Sequence, residues 1–186
     1  MTTKKIGVII GSLRKESFNR KIAKNLMELA PVGFQLEEVK IGDLVIFNQD
    51  FDDEGDTPAT WTAFREELKK FDAFLFVTPE YNRSIPAVIK NALDIGSRPY
   101  GQNLWNKKPG AVVSVSIGAL SGFGANHQLR QALVFLNVPT MQQPEAYIGN
   151  AANLFDDRGV LVNDGTREFL KKIMNEFALW VEKNAV

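Results

Sequence analysis

No cysteine occurs among the 186 residues, which excludes disulfides, thiolate nucleophiles and cysteine-ligated zinc or iron–sulfur centres. Histidine occurs once, at His127. A nucleophilic triad needs an imidazole beside both a serine and an acid, and His127 reads instead as a helix-surface or interface residue. There is no excess of either charge: Lys and Arg total 22, Asp and Glu total 22, and the formal net charge is zero. Attraction to nucleic acid or to an acidic membrane surface is therefore not expected. The acidic surplus of a docking electron carrier is missing too. No run reaches the ~20 apolar residues that span a bilayer. The opening Met1-Thr2-Thr3-Lys4-Lys5 leads into an apolar run shorter than the ~7–15 residues of a signal-peptide core. These features predict a cytoplasmic protein with neither membrane nor nucleic-acid partner.

What is present is ordinary for a globular chain: 45% hydrophobic and 24% charged residues. The length suits one domain over 1–186. Short apolar runs alternate with longer amphipathic ones. Ile6–Ile10 is a mostly β-branched run ending at Gly11, as a strand buried on both faces reads. Ser17–Ala30 carries Ile22, Leu26 and Leu29 at helical spacing and is stopped by Pro31 and Gly33. Phe34–Val39 alternates as a second strand, and the polar, acidic 48–60 segment reads as a loop. Trp61, Phe64 and Leu68 mark a helix, Ala73–Val77 a third strand, and Pro86–Ile95 a helix with proline near its first position. Ala111–Ser116 is a fourth strand, Leu129, Leu133 and Leu136 mark a helix, and Ala146–Ile148 is a short fifth strand. Leu170, Ile173, Phe177 and Val181 give the closing helix. This alternation predicts an α/β domain with a five-stranded parallel sheet, helices on both faces and the flavodoxin-like strand order 2-1-3-4-5. Ligands in such sheets lie beyond the carboxyl ends of the strands, at the switch point beside the first strand. Three loops are thereby singled out, those after Ile10, Val77 and Ser116.

The first loop, Gly11-Ser12-Leu13-Arg14-Lys15-Glu16-Ser17-Phe18-Asn19, leads from a strand into a helix N-terminus, where free N–H groups favour anions. Ser12 and Ser17 can donate hydroxyls, Arg14 a charged fork and Asn19 an amide. It carries neither the Gly-x-Gly-x-x-Gly fingerprint nor a Gly-Lys-Ser/Thr P-loop, and its donors suit a terminal monophosphate. Equally, Ser17 can simply cap the helix while Arg14 stays solvated. The second loop, Thr78-Pro79-Glu80-Tyr81-Asn82-Arg83-Ser84-Ile85-Pro86, is stiffened by two prolines and can offer main-chain groups and the Tyr81 face to a flat heterocycle. The plain alternative is a strand-to-helix connection capped by Ser84. The third, Ser116-Ile117-Gly118-Ala119-Leu120-Ser121-Gly122-Phe123-Gly124-Ala125, has three glycines that permit close backbone approach, or merely a flexible connection.

At Gly11-Ser12-Leu13-Arg14 with Ser17-Phe18-Asn19, at Thr78-Pro79-Glu80-Tyr81-Asn82 with Ser84-Ile85-Pro86, and at Lys90-Asn91-Ala92-Leu93-Asp94, the chain resembles the NAD(P)H-dependent FMN reductase family. The likeness is to its chromate and quinone reductase branch and runs from Ile6 to about Pro144. It implies non-covalent FMN, with Ser12, Arg14, Ser17, Phe18 and Asn19 holding the phosphate and ribityl chain. Pro79, Glu80, Tyr81, Asn82 and Arg83 would lie along the isoalloxazine, and Ser116 and Gly118 would face its pyrimidine side. It further implies NAD(P)H as donor and ping-pong passage of electrons to a small acceptor such as a quinone, chromate, an azo compound or free flavin. The chemistry would be the flavin's, with no catalytic acid or base from the protein. A homodimer or dimer of dimers is implied, using the helix from Pro86 and the helix holding Leu129 and Leu133. Two other readings stand beside it: a non-enzymatic FMN electron carrier or redox sensor, and a fold relative binding another phosphorylated ligand.

Three lesser expectations complete the reading. The 50–56 acidic run is no calcium loop, because Trp61 stands where the bidentate glutamate belongs. A receiver-domain reading fails, since Val77 leads into Thr78 and Pro79 rather than a phosphorylatable aspartate. Trp105, ahead of Lys107-Lys108-Pro109, can line the cofactor site or pack a subunit interface, and the interface is the expectation.

Overall fold

The computed structural model of the chain describes residues 3–184. Five parallel strands, β1 (Lys4–Ile10), β2 (Phe34–Val39), β3 (Ala73–Thr78), β4 (Gly110–Val115) and β5 (Ala146–Ile148), lie in the order β2-β1-β3-β4-β5. Six helices cover them: α1 (Phe18–Glu28), α2 (Asp50–Asp53), α3 (Ala59–Leu68), α4 (Ala87–Gly96), α5 (Phe123–Phe135) and α6 (Asp164–Asn184). The sequence-predicted architecture and strand order are both present.

Successive side chains of a strand point to opposite faces, and the central strands use both. Ile6, Val8, Ile10, Leu75 and Val77 pack with Ile22 and Leu26 of α1 and Leu170, Ile173 and Phe177 of α6. Ile9, Phe74, Phe76 and Val112 pack on the other face with Trp61, Phe64 and Leu68 of α3, Ile89 and Leu93 of α4, and Leu129 and Leu133 of α5. Every residue of β3 and β4 is buried. The edge strand β2 alternates half-buried and exposed residues over its first four positions. Each fully buried Leu, Ile or Phe stabilises this arrangement by about 1.5–3 kcal/mol. The parallel register aligns Ile10 with Val77, and Thr78 with Ser114, so the exits of β1, β3 and β4 emerge side by side.

The structure differs from the sequence reading in several places. Residues 48–60 are not wholly a loop: Asp50–Asp53 form a helical turn and α3 already begins at Ala59. The turn is held by Asp52, which accepts two hydrogen bonds from Arg65 at 2.7 and 2.6 Å, a long-range contact that local composition does not reveal. Trp105 is not an interface residue but lies fully buried. Its ring meets Phe74 edge-on at 4.7 Å and its Nε1 donates to the Leu93 carbonyl at 3.0 Å. Gly96 makes the room, since a Cβ there would stand 2.6 Å from that nitrogen. A short 3-10 turn, Ala151–Leu154, follows β5. Among the described residues no helix is long and apolar enough to cross a membrane.

Candidate functional site

The first loop begins where Gly11 N–H donates to the Val77 carbonyl at 2.9 Å, fixing the exit of β1 to the end of β3. Ser12 and Ser17 are 2% exposed and Asn19 is 6% exposed. Ser17 caps α1, its hydroxyl accepting from Arg20 N–H at 3.2 Å. The N–H groups of Phe18 and Asn19, in the first turn, have no intrahelical acceptor. Asn19 Oδ1 is buried without a hydrogen-bond partner. Phe18 offers the loop only its main chain, because its ring stacks on Phe155 at 6.1 Å with Lys21 Nζ over both rings. Arg14 is exposed on the same loop.

In the second loop Thr78 turns inward and its hydroxyl donates to the Pro79 carbonyl at 2.8 Å. Tyr81 and Ser84 exchange two main-chain hydrogen bonds at 3.0 Å, closing a two-residue turn with Asn82 at φ 51° and Arg83 at φ 65°. Asparagine tolerates that left-handed region; arginine there costs about 1–2 kcal/mol. Tyr81 is left 45% exposed at the turn's shoulder. Ser84 does not cap α4, whose N-cap is Pro86; its hydroxyl donates to Gln128 Oε1 at 2.7 Å. The Glu80 carboxylate turns away from solvent and accepts from Ala125 N–H at 3.0 Å.

In the third loop the Ser116 hydroxyl accepts from Gly118 N–H at 3.1 Å. Gly118 faces open space, where an added Cβ would meet only Ser116 Oγ at 3.7 Å. The loop hangs from a buried polar chain that sequence reasoning missed. Ser114 Oγ donates to the Ser121 carbonyl, Asn126 Nδ2 donates to Ser114 Oγ, and Arg130 donates to Asn126 Oδ1 and the Met141 carbonyl. Burial draws the Arg130 pKa below its usual value. Only the Asn126–Arg130 spacing of one helical turn was visible in sequence; the strand partner was not. His127 is exposed on α5, as expected, and contacts Tyr147 OH at 2.9 Å rather than a serine and an acid. Burial first, then Glu145, raises the Tyr147 pKa.

The three loops thus meet along the carboxyl edge of β1, β3 and β4. A groove of about 720 Å³ lies elsewhere, between α4 and α5, lined by Ile85, Ala87, Lys90, Gln131 and Phe135 among others. No cluster of acidic and histidine side chains among the described residues could hold a metal. A phosphate fits the donors at the α1 N-terminus. Asn19 Oδ1, buried with its acceptor capacity unused, can take a donor from a bound molecule, and the hydroxyls of FMN's ribityl chain fit that role.

Comparison with known proteins agrees. Residues 4–153 match the family model for NADPH-dependent FMN reductase. A quinone reductase of Pseudomonas putida is 59% identical over 179 residues, covering 96% of this chain and 95% of that protein. A 2-hydroxy-1,4-benzoquinone reductase of a Burkholderia species is 43% identical over 182 residues, 98% of each chain. Among solved structures, the flavoenzyme NAD(P)H:(acceptor) oxidoreductase FerB of Paracoccus denitrificans superposes with a TM-score of 0.91 at 38% identity, covering 98% of this chain and 100% of that one. The family model over residues 4–153 and the 59% identical relative make the chain a member of the NADPH-dependent FMN reductase family.

Proposed function

We propose that this chain is an FMN-dependent NAD(P)H:quinone oxidoreductase. The observation that carries the reading is the buried, unpartnered Asn19 oxygen at the head of α1, beside Ser12 and Ser17. It can take an alcohol donor next to a phosphate site. The N–H groups of Phe18 and Asn19, the Ser12 hydroxyl and Arg14 hold the phosphate, and Asn19 accepts from the ribityl chain. The main chain of Pro79, Glu80, Tyr81, Asn82 and Arg83 lines the ring, with Ser116 and Gly118 at the pyrimidine side. When bound, FMN supplies the two-electron chemistry between NAD(P)H and the acceptor. The three loops would hold the ring at the carboxyl edge of the sheet, and a single site serving first the donor and then the acceptor would give a ping-pong scheme. Gly118 N–H is already paired with Ser116 Oγ, so Gly118 would serve the pyrimidine side through the open space it leaves rather than as a donor. No side chain acts as general acid or base.

Quinones are the proposed acceptors, supported by the names of the Pseudomonas and Burkholderia relatives. Chromate, azo compounds and free flavin are further acceptors of the same open face. A second copy of the chain covers the α4–α5 groove, supported by Phe135 at 90% and Val134 at 74% exposure on α5. A cytoplasmic location follows from a reduced dinucleotide that is made and held inside cells. The test is anaerobic: FMN-loaded protein bleaches on NADPH, recolours on benzoquinone, and repeats this over many cycles. Apo-protein that takes up no FMN refutes the reading, and a single slow cycle refutes turnover.

A further inference from the structure

We infer that Glu80 is a positioning residue whose carboxylate serves α5 and not the ligand: it caps that helix from another loop and so locks the second and third loops of the site together. The inference rests on the flavin reading only for its ligand.

Helix α5 starts without a cap of its own. Its N-cap is Gly122 at φ 73°, with no side chain to accept from the first-turn N–H groups. In most helices the N-cap side chain takes the N–H two or three residues on. Here that N–H belongs to Ala125, and the acceptor comes from 45 residues away, Glu80 Oε2 at 3.0 Å. The Glu80 side chain is 11% exposed, so little water competes for it. Arg83, itself 74% exposed, reaches the other carboxylate oxygen at 3.5 Å and leaves it paired. The positive end of the helix and a carboxylate attract one another.

Two further observations show the same pair of loops held together. Gln128 of α5 donates to the Arg83 carbonyl at 3.1 Å and accepts from the Ser84 hydroxyl at 2.7 Å. Gly124 is needed for the approach, because a Cβ there would stand 3.0 Å from Glu80 Oε2 and 3.1 Å from the Arg83 carbonyl oxygen. The turn that carries Tyr81 and the loop that carries Gly118 are therefore one rigid unit before any ligand arrives. Severing the Glu80 tie loosens the two loops, which Gln128 still joins, and part of their ordering is then charged against ligand binding.

The experiment uses the full chain stripped of flavin, with variants Glu80→Ala, Glu80→Gln and Gly124→Ala. FMN affinity is read by fluorescence quenching, global stability by thermal unfolding, and the tie itself by hydrogen exchange of the Ala125 amide. Loss of one cap predicts that Glu80→Ala weakens FMN binding by about tenfold and speeds Ala125 exchange by about the same factor. Gly124→Ala, whose Cβ would press by a few tenths of an ångström on Glu80 Oε2 and the Arg83 carbonyl, shifts both readouts in the same direction as Glu80→Ala. Glu80→Gln keeps an acceptor oxygen and stays within about threefold of the parent on both readouts. A Glu80→Ala protein with a lowered Tm but parental FMN affinity overturns the inference, as does a Gln variant as weak as Ala. If the parent itself binds no FMN, the proposed function falls. The tie is then judged on Ala125 exchange alone, and unchanged exchange in Glu80→Ala refutes it.

Discussion

Replacing Gly11 by alanine tests whether the exit of β1 is held by space rather than by backbone conformation. A Cβ at Gly11 would stand 2.5 Å from Ile89 Cδ1, 3.0 Å from Ile89 Cγ1 and 2.9 Å from Pro79 Cδ. Carbon atoms in comfortable contact are about 3.5–4.0 Å apart, so the overlap approaches 1 Å on two sides. Ile89 is wholly buried and can turn only into the α4 packing. Even if it does, the Pro79 ring remains. Overpacking of this kind costs about 1–3 kcal/mol, and two rigid neighbours place Gly11→Ala near the upper end. For a domain of this size about 2–3 kcal/mol lowers the Tm by roughly 4–12 °C. The displaced atoms belong to the second loop and to α4, so FMN affinity falls as well, by about fivefold for each kcal/mol passed to the site. The assay is thermal unfolding of apo-protein followed by FMN titration. Gly118→Ala is the internal control: its new Cβ meets nothing closer than 3.7 Å, and its stability changes by less than about 0.5 kcal/mol. A Gly11→Ala protein that melts within about 1 °C of the parent would show that the three loops are not wedged together as described.

Three other perturbations follow from the same geometry. Arg14→Ala removes the exposed fork from the phosphate cradle and weakens FMN binding by about tenfold or more while leaving Tm unchanged; an apo-protein titration with parental affinity removes Arg14 from the site. Asp52→Asn breaks a pair whose side chains are 6% and 10% exposed and leaves Arg65 buried without its partner, costing about 3–5 kcal/mol in urea unfolding at neutral pH. The hydrogen bonds from Arg65 hold the Asp52 pKa below its ordinary 3.8. The stability it contributes is therefore complete above that value and lost as pH falls through the folded pKa. Acid unfolding curves of Asp52→Asn and parent consequently converge at low pH, and a constant gap refutes the assignment. Phe135→Asp places a charge on the exposed α5 face and dissociates the proposed dimer in sedimentation; an unchanged oligomer shows that the second copy sits elsewhere.

The strand order and the three site loops were legible in sequence because each depends on local signals. Runs such as Ile6–Ile10 and Ala73–Val77 alternate with helical stripes, and a parallel sheet built from them has its ligand edge fixed by topology. Ser17 as a cap and Asn19 beside it also followed from spacing alone. The sequence placed Trp105 at an interface, since nothing near it announces that Gly96, nine residues earlier, leaves a hole of its shape. Asp50–Asp53 read as loop because its partner, Arg65, lies thirteen residues beyond Asp52.

The site divides along the same line. Composition and spacing determined which residues could meet a phosphate, since hydroxyls, amide and guanidinium sit within one loop and one helical turn. Only the folded chain decided what each of them does. Glu80 is spent on Ala125, Phe18 on Phe155, and Ser84 on Gln128. Those partners are 44 or more residues distant in each case. Periodicity reports which face of an element is apolar, but hydrogen bonds between loops depend on where two separate strands end, and that is set when the sheet assembles.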